Sequence, residues 1–260
     1  MPSSTSSPLS SSERALEVQQ LTGPVGSPLI FDIDLSVARG DTVLVLGPIQ
    51  SGKSMLMRHL VGLECAAEGT IAVDGQAFDL TKPDEKKLRK LRARMGVIFE
   101  GSALLRRISV LENVELPLLE HEHRSRAAAR DAARELLAEV GIEVDDETMP
   151  LELGRAGQRR VALARAMALR PHLLLLDEPT LGLDSQAAHE FDETLHALQK
   201  KYDFGIVIFS HEIRYAYAPL NEIDVLAGGR IVARGTREEL LRSEDPVIHG
   251  LLHRRERESR

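Results

Sequence analysis

The eight residues Gly47-Pro48-Ile49-Gln50-Ser51-Gly52-Lys53-Ser54 fit the spacing G-x-x-x-x-G-K-[ST]. Glycines let several backbone N–H groups turn toward one point, and a following helix aims its positive end at the same point. Lys53 offers a point charge to the β- and γ-phosphates of a nucleotide, and the Ser54 hydroxyl can ligate Mg²⁺. A second feature is the apolar run 173–176 ending in Asp177-Glu178-Pro179. Asp177 is suited to hold Mg²⁺ through water, and Glu178 to polarise a water that attacks the γ-phosphate. A third is His211, which follows the apolar run 206–209 and Ser210 and can hydrogen-bond the same phosphate.

Such groups need strands that end together. Residues 42–46 form a short continuous apolar run, as a strand buried on both faces requires, and 53–63 read as the helix after the loop. Residues 15–21, 29–37, 69–73 (closed by Asp74-Gly75), 96–99, 173–176, 206–209 and 223–226 read as further strands. Residues 83–95 read as a charged helix. From 109 to 153 the chain is rich in Ala, Arg and Glu and reads as helical, most clearly over 127–140. Strands alternating with helices predict an α/β fold with a mainly parallel sheet covered on both faces, and the helical stretch predicts an inserted subdomain.

Composition narrows the classes. Lys+Arg number 33 against 40 Asp+Glu, a formal charge of −7 over 260 residues, which argues against a dedicated nucleic-acid binder. No apolar run approaches the roughly 20 residues of a membrane span. Aromatics are 3% with no Trp, so base-stacking platforms are not expected. Cys65 is the single cysteine and reads as an idle thiol, and His121 and His123 read as solvated. Residues 1–13 are expected to be a disordered Ser-rich tail and 253–260 a charged tail. Arg155, Arg159, Arg160, Arg165 and Arg170 are expected to pair with acidic residues nearby, with a lipid-headgroup contact as the alternative.

Over 14–252 the chain resembles the nucleotide-binding subunit of ATP-binding-cassette (ABC) transporters. Besides the motifs above, Leu181-Gly182-Leu183-Asp184 resembles the family's loop across the dimer interface, and 158–166 resembles the helix after its signature sequence. The resemblance implies a P-loop NTPase (RecA-like) core with an antiparallel β subdomain and an inserted α-helical subdomain at about 101–165. It implies an ATPase using ATP and Mg²⁺, with a second cassette subunit packed head to tail. Each ATP would lie between one subunit's phosphate loop and the partner's signature segment, with His211 as the switch histidine. An integral-membrane permease would contact the segment near 100–119, where Leu104, Leu105, Ile108, Val110 and Leu111 are divided between a partner contact and the core of the helical subdomain. The subunit would lie on the cytoplasmic face of the inner membrane. Residues 99–105 and 109–118, with 243–246 and 248–252, are similar to the ATPases of Mla/Mce phospholipid-transport systems, which implies lipid cargo and a possible lipid-binding Mce-type subunit.

The departures from the family pattern are specific. In place of Leu-Ser-Gly-Gly-Gln stands Leu153-Gly154-Arg155-Ala156-Gly157, so the serine hydroxyl is missing at Gly154 and a large cation stands at 155. Glu100 replaces the Mg²⁺-binding glutamine, and Val25 replaces the aromatic that stacks on adenine. The phosphate half-site is expected to be sound and the half offered to the partner altered, giving slow or asymmetric hydrolysis. The alternatives are a regulatory ATP-binding subunit with little hydrolysis, or an ABC ATPase for a non-lipid substrate.

Overall fold

The computed structural model describes residues 13–24, 29–121, 125–212, 220–243, 245, 248 and 251. Val25, His123 and both expected tails (but for residue 13) lie outside them. A six-stranded sheet runs β10-β9-β3-β8-β7-β6: β10 (Arg230–Gly235), β9 (Glu222–Ala227), β3 (Thr42–Leu46), β8 (Gly205–Ser210), β7 (Leu173–Asp177) and β6 (Met95–Ile98). All neighbours are parallel except β9 and β10. A second, antiparallel sheet runs β2-β1-β4-β5: β2 (Ile33–Ala38), β1 (Arg14–Thr22), β4 (Glu68–Val73) and β5 (Gln76–Phe78).

Residues 43–46, 173–176 and 206–209 of the central strands are apolar at every position because each face meets a different core. Leu44, Leu46, Leu174, Leu176, Ile206 and Ile208 face one cluster. Val43, Val45, Leu173, Leu175, Val207 and Phe209 face the other. The first cluster is completed by α3 (Val110–His121), α4 (Arg126–Glu139), α5 (Arg155–Met167) and α6 (Ser185–Tyr202). The second is completed by α1 (Lys53–Leu60), α2 (Glu85–Ala93) and the antiparallel sheet. α3, α4 and α5 all fall between β6 and β7, and α7 (Arg237–Leu241) follows β10.

Register aligns the strand ends. Leu46 pairs with Ser210, and Asp177 with Phe209, so loop 47–54, Ser210-His211, Asp177-Glu178 and Phe99-Glu100 emerge at one edge of the sheet. That edge, beyond the carboxyl ends of parallel strands, is where such sheets bind ligands.

Several boundaries depart from the sequence reading. β2 starts at Ile33 rather than 29, because Asp32 takes φ 52 and the backbone of 29–31 is committed elsewhere. There Gly23 N–H donates to Ile30 O at 3.0 Å and Phe31 N–H to Gly229 O at 2.8 Å. β6 starts at Met95, one residue early, and α2 spans a shorter stretch, opened by the Asp84 side chain accepting from Lys86 N–H at 2.8 Å. β5 and β10 were not anticipated. Both return from tight turns with two successive left-handed residues, Asp74-Gly75 and Gly228-Gly229, the geometry of a two-residue hairpin.

Candidate functional site

Loop 47–54 closes on itself where β3 ends. A β-carbon on Gly47 would lie 2.2 Å from Leu226 O and 2.6 Å from Ser51 Oγ, so only glycine fits. Gln50 (φ 66) and Gly52 (φ 108) turn the chain, and Ser51 N–H donates to Pro48 O at 3.2 Å. Ile49 stands out in solvent at the crest. Lys53 is buried and folds back, Nζ donating to Gly47 O at 2.8 Å and Pro48 O at 2.9 Å. Burial holds its ammonium below the ordinary lysine range, against the opposing pull of Glu178 and Asp177. The Ser51 hydroxyl is buried with no hydrogen-bond partner among the described residues. A lysine folded onto its own loop carbonyls and an orphaned hydroxyl fit a cradle for an anion.

Across the sheet edge, Ser54 Oγ donates to Asp177 Oδ2 at 3.4 Å. Burial pushes the Asp177 carboxyl up to about 6, and the charges of Glu178 and Glu100 add to the shift. Among the described residues no group of three or more His, Cys, Asp and Glu is placed to hold a metal ion, so the Ser54 hydroxyl and the Asp177 carboxylate would supply only part of a divalent cation's ligands. The remaining ligands would be phosphate oxygens and water.

Glu178 is held from every side. Its backbone is left-handed, φ 46, unusual for a residue with a side chain. Its N–H donates to Phe209 O at 2.9 Å. Oε2 accepts from Ser210 Oγ at 2.9 Å, and Oε1 from His211 N–H at 2.8 Å. The His211 ring Nδ1 lies 2.6 Å from the same oxygen. The histidine thus rests on Glu178. A cavity of about 220 Å³ lined by Glu178, Thr180 to Leu183, Ser210, His211 and Glu212 opens beside this pair.

The other expected site residues form a separate group. Gly154 is the N-cap of α5 with no side-chain cap, and the first turn carries no acidic residue. Arg155 reaches over the chain at Gly182 (φ +78), where a β-carbon would meet its Nη1 at 2.5 Å. Asp184 accepts from Ala187 N–H at 2.8 Å and caps α6. Among the described residues no hydrogen bond joins 154–157 or Asp184 to loop 47–54. Arg155, Gln158, Arg159, Glu100, Gly101, Ser102 and Leu181 instead line a second cavity of about 420 Å³.

One expectation needs correction. The arginines of α5 do not all pair with acids. Arg160 does so with Glu190 at 2.7 Å, but Arg165 donates to the carbonyls of Ala103 and Ser102, and Arg159 to those of Phe99 and Glu178. Arg170 stacks on the Tyr202 ring at 4.1 Å, near Glu139 at 3.9 Å. Of the apolar residues expected to divide between core and partner contact, Val110 and Leu111 are core residues of the helical region, whereas Leu105 is 48% exposed and remains available at the surface. Arg159 and Ser210 are the site residues that sequence reasoning assigned no part; their acceptors lie 19 to 60 residues away, so no local spacing announces them.

Among the described residues no helix is long and apolar enough to cross a membrane. Comparison with known proteins matches residues 30–181 to the ABC transporter family. The chain is 33% identical over 242 residues to the "Probable ribonucleotide transport ATP-binding protein mkl" of Mycobacterium tuberculosis, covering 93% of this chain and 67% of that one. It is 32% identical over 234 residues to the intermembrane phospholipid transport system ATP-binding protein MlaF of Haemophilus influenzae (90% and 88%). It is 35% identical over 215 residues to the glutamine transport ATP-binding protein GlnQ of Escherichia coli (83% and 88%). Among solved structures, an ATP-binding cassette in a dimeric post-hydrolysis state bound to ADP and Pi superposes with TM-score 0.74 at 27% identity (85% and 98%). The cbiO1 subunit of the cbiONQ transporter complex of Clostridium perfringens does so with TM-score 0.78 at 26% identity (94% and 97%). With its α/β P-loop fold and motif-bearing sheet edge, the chain belongs to the ABC transporter family, as an ATP-binding cassette of the kind that couples ATP hydrolysis to transport.

Proposed function

We propose that this chain hydrolyses Mg·ATP at loop 47–54, paired head to tail with a second cassette, and so drives a membrane permease that moves phospholipid. The observation that carries the reading is the Glu178 carboxylate, locked by Ser210 and His211 beside Asp177 at the sheet edge that also bears the loop. The loop N–H groups and Lys53 bind the β- and γ-phosphates. Ser54, Asp177 and Glu100 would hold Mg²⁺, which when bound neutralises charge developing on the triphosphate. Glu178 orients the attacking water and takes its proton, and release of the His211 ring from Oε1 frees the accepting oxygen.

The partner's nucleotide would meet residues 154–157, with Asp184 near the crossing. Arg155 stands where the family has glycine and a hydroxyl is absent at 154, which supports slow or asymmetric hydrolysis. The exposed Leu105 and half-buried Leu104 and Ile108 support permease contact on the cytoplasmic face. The lipid reading is supported by the likeness to MlaF and the similarity of 99–118 to that branch, and a Mce-type subunit would accompany it. The likeness to GlnQ supports amino-acid cargo as the second reading.

Phosphate release by the purified chain, alone and with its co-purifying permease, tests the chemistry. Lys53→Ala is expected to abolish Mg·ATP uptake, and Glu178→Gln to retain uptake while turnover falls at least about 100-fold. No Mg·ATP uptake by the unaltered chain refutes the reading. In vesicles, turnover stimulated by phospholipid supports lipid cargo; turnover stimulated by glutamine replaces it.

A further inference from the structure

Glu178 needs support in its left-handed conformation, and one source of it lies on α5. Arg159 is 5% exposed. Its Nη2 donates to Glu178 O and its Nη1 to Phe99 O, each at 3.3 Å. A single planar fork therefore spans the carbonyl of Glu178 and the carbonyl immediately before Glu100. Four residues earlier, on the same face of the helix, Arg155 lies over Gly182. Further along, Arg165 donates to Ala103 O at 2.9 Å and Ser102 O at 3.1 Å. The two loops that leave β6 and β7 are thus held to one helix by guanidinium groups donating to main-chain carbonyls.

We propose that Arg159 is a positioning residue for hydrolysis: it clamps the ends of β6 and β7 to α5, so that the placement of α5 sets where Glu178 and Glu100 stand. This rests on the reading of Glu178 as the base. α5 begins at Gly154-Arg155, the turn that meets the partner's nucleotide in that same reading. Engagement of one site then reports to the glutamate of the other through this side chain. Lysine cannot replace it, because a single ammonium does not present the rigid fork that bridges two carbonyls.

The test compares the full-length chain with Arg159→Lys by hydrogen–deuterium exchange without nucleotide, Mg·ATP titration and steady-state kinetics. Arg159→Lys is expected to speed exchange over 178–183 and 99–103 by about tenfold, leaving α6 unchanged. The Mg·ATP dissociation constant should stay within about twofold while kcat falls roughly 10- to 100-fold. A variant with unaltered exchange and unaltered kcat overturns the clamp. So does one in which exchange rises throughout the chain and nucleotide binding is lost with it, since that assigns Arg159 to folding alone. If the unaltered chain binds Mg·ATP but never turns over, the role in hydrolysis falls with the reading of Glu178. Local acceleration of exchange then still demonstrates the clamp by itself.

Discussion

Asp177→Asn makes a quantitative test of the charge arrangement. Folding carries this carboxyl from 3.8 to about 6, chiefly by burial and then by the charges of Glu178 and Glu100. The native chain therefore binds more protons at this position than the unfolded chain between those values, and stability falls as pH rises through them. Above about 6 the penalty is fully developed. Roughly two pH units at about 1.4 kcal/mol each give about 3 kcal/mol at pH 7.5 and, from the same two values, about 1.6 kcal/mol at pH 5. Asparagine keeps the shape and an oxygen for Ser54 but carries no charge. The nucleotide-free variant should be more stable than the unaltered chain at pH 7.5 by about 3 kcal/mol, and this advantage should shrink by about 1.4 kcal/mol at pH 5. Urea unfolding at both pH values, with the denaturant slope unchanged, measures it. The same variant should lose most of the extra stability that Mg·ATP confers. A variant no more stable at pH 7.5, or an advantage that does not change with pH, refutes the argument.

Two further outcomes follow from packing. Gly47→Ala drives a β-carbon to 2.2 Å from Leu226 O and should abolish Mg·ATP uptake and lower stability by about 1–3 kcal/mol, measured by titration and urea unfolding. Asp224 is fully buried and its partner Arg234 meets it at 2.6 and 2.9 Å across the β9–β10 hairpin. Arg234→Met should cost about 3–5 kcal/mol by stranding that carboxylate, and adding Asp224→Leu should recover most of it. Failure of the second change to rescue the first would show that the pair is not what the arginine supports.

The legible part of the sequence was the part dictated by backbone and burial. Residues 43–46, 173–176 and 206–209 are apolar at every position because both faces of those strands are covered, and a fully apolar run of that length admits few other readings. β10 escaped because it is an edge strand whose residues alternate between exposed and half-buried, with Arg230, Val232 and Arg234 outward. Its one local signal was Gly228-Gly229. The start of β2 escaped because the strap 29–31 is spent on Gly23 and Gly229, contacts that exist only after folding. For the same reason an ion-pairing expectation fails for Arg159 and Arg165: sequence records their charge, whereas the structure gives them main-chain carbonyls delivered by β6 and β7.

These contacts point to a site built at the expense of the free cassette. Asp177 is desolvated and feels the charges of Glu178 and Glu100, Glu178 is left-handed, burial disfavours the Lys53 ammonium, and the buried Ser51 hydroxyl has no hydrogen-bond partner among the described residues. Each of these raises the free energy of the empty state. A cation beside Asp177 and an anion in the loop relieve them together, so Mg²⁺ and triphosphate should bind with positive coupling, each strengthening the other. Arg155 adds a cation at the start of α5, whose first turn carries no acidic group. If that guanidinium draws the partner's phosphate while Arg159 fixes the distance from α5 to Glu178, the missing serine hydroxyl at 154 costs affinity rather than geometry. The altered signature then predicts a raised nucleotide requirement for pairing, so that steady-state hydrolysis is slow because few pairs close.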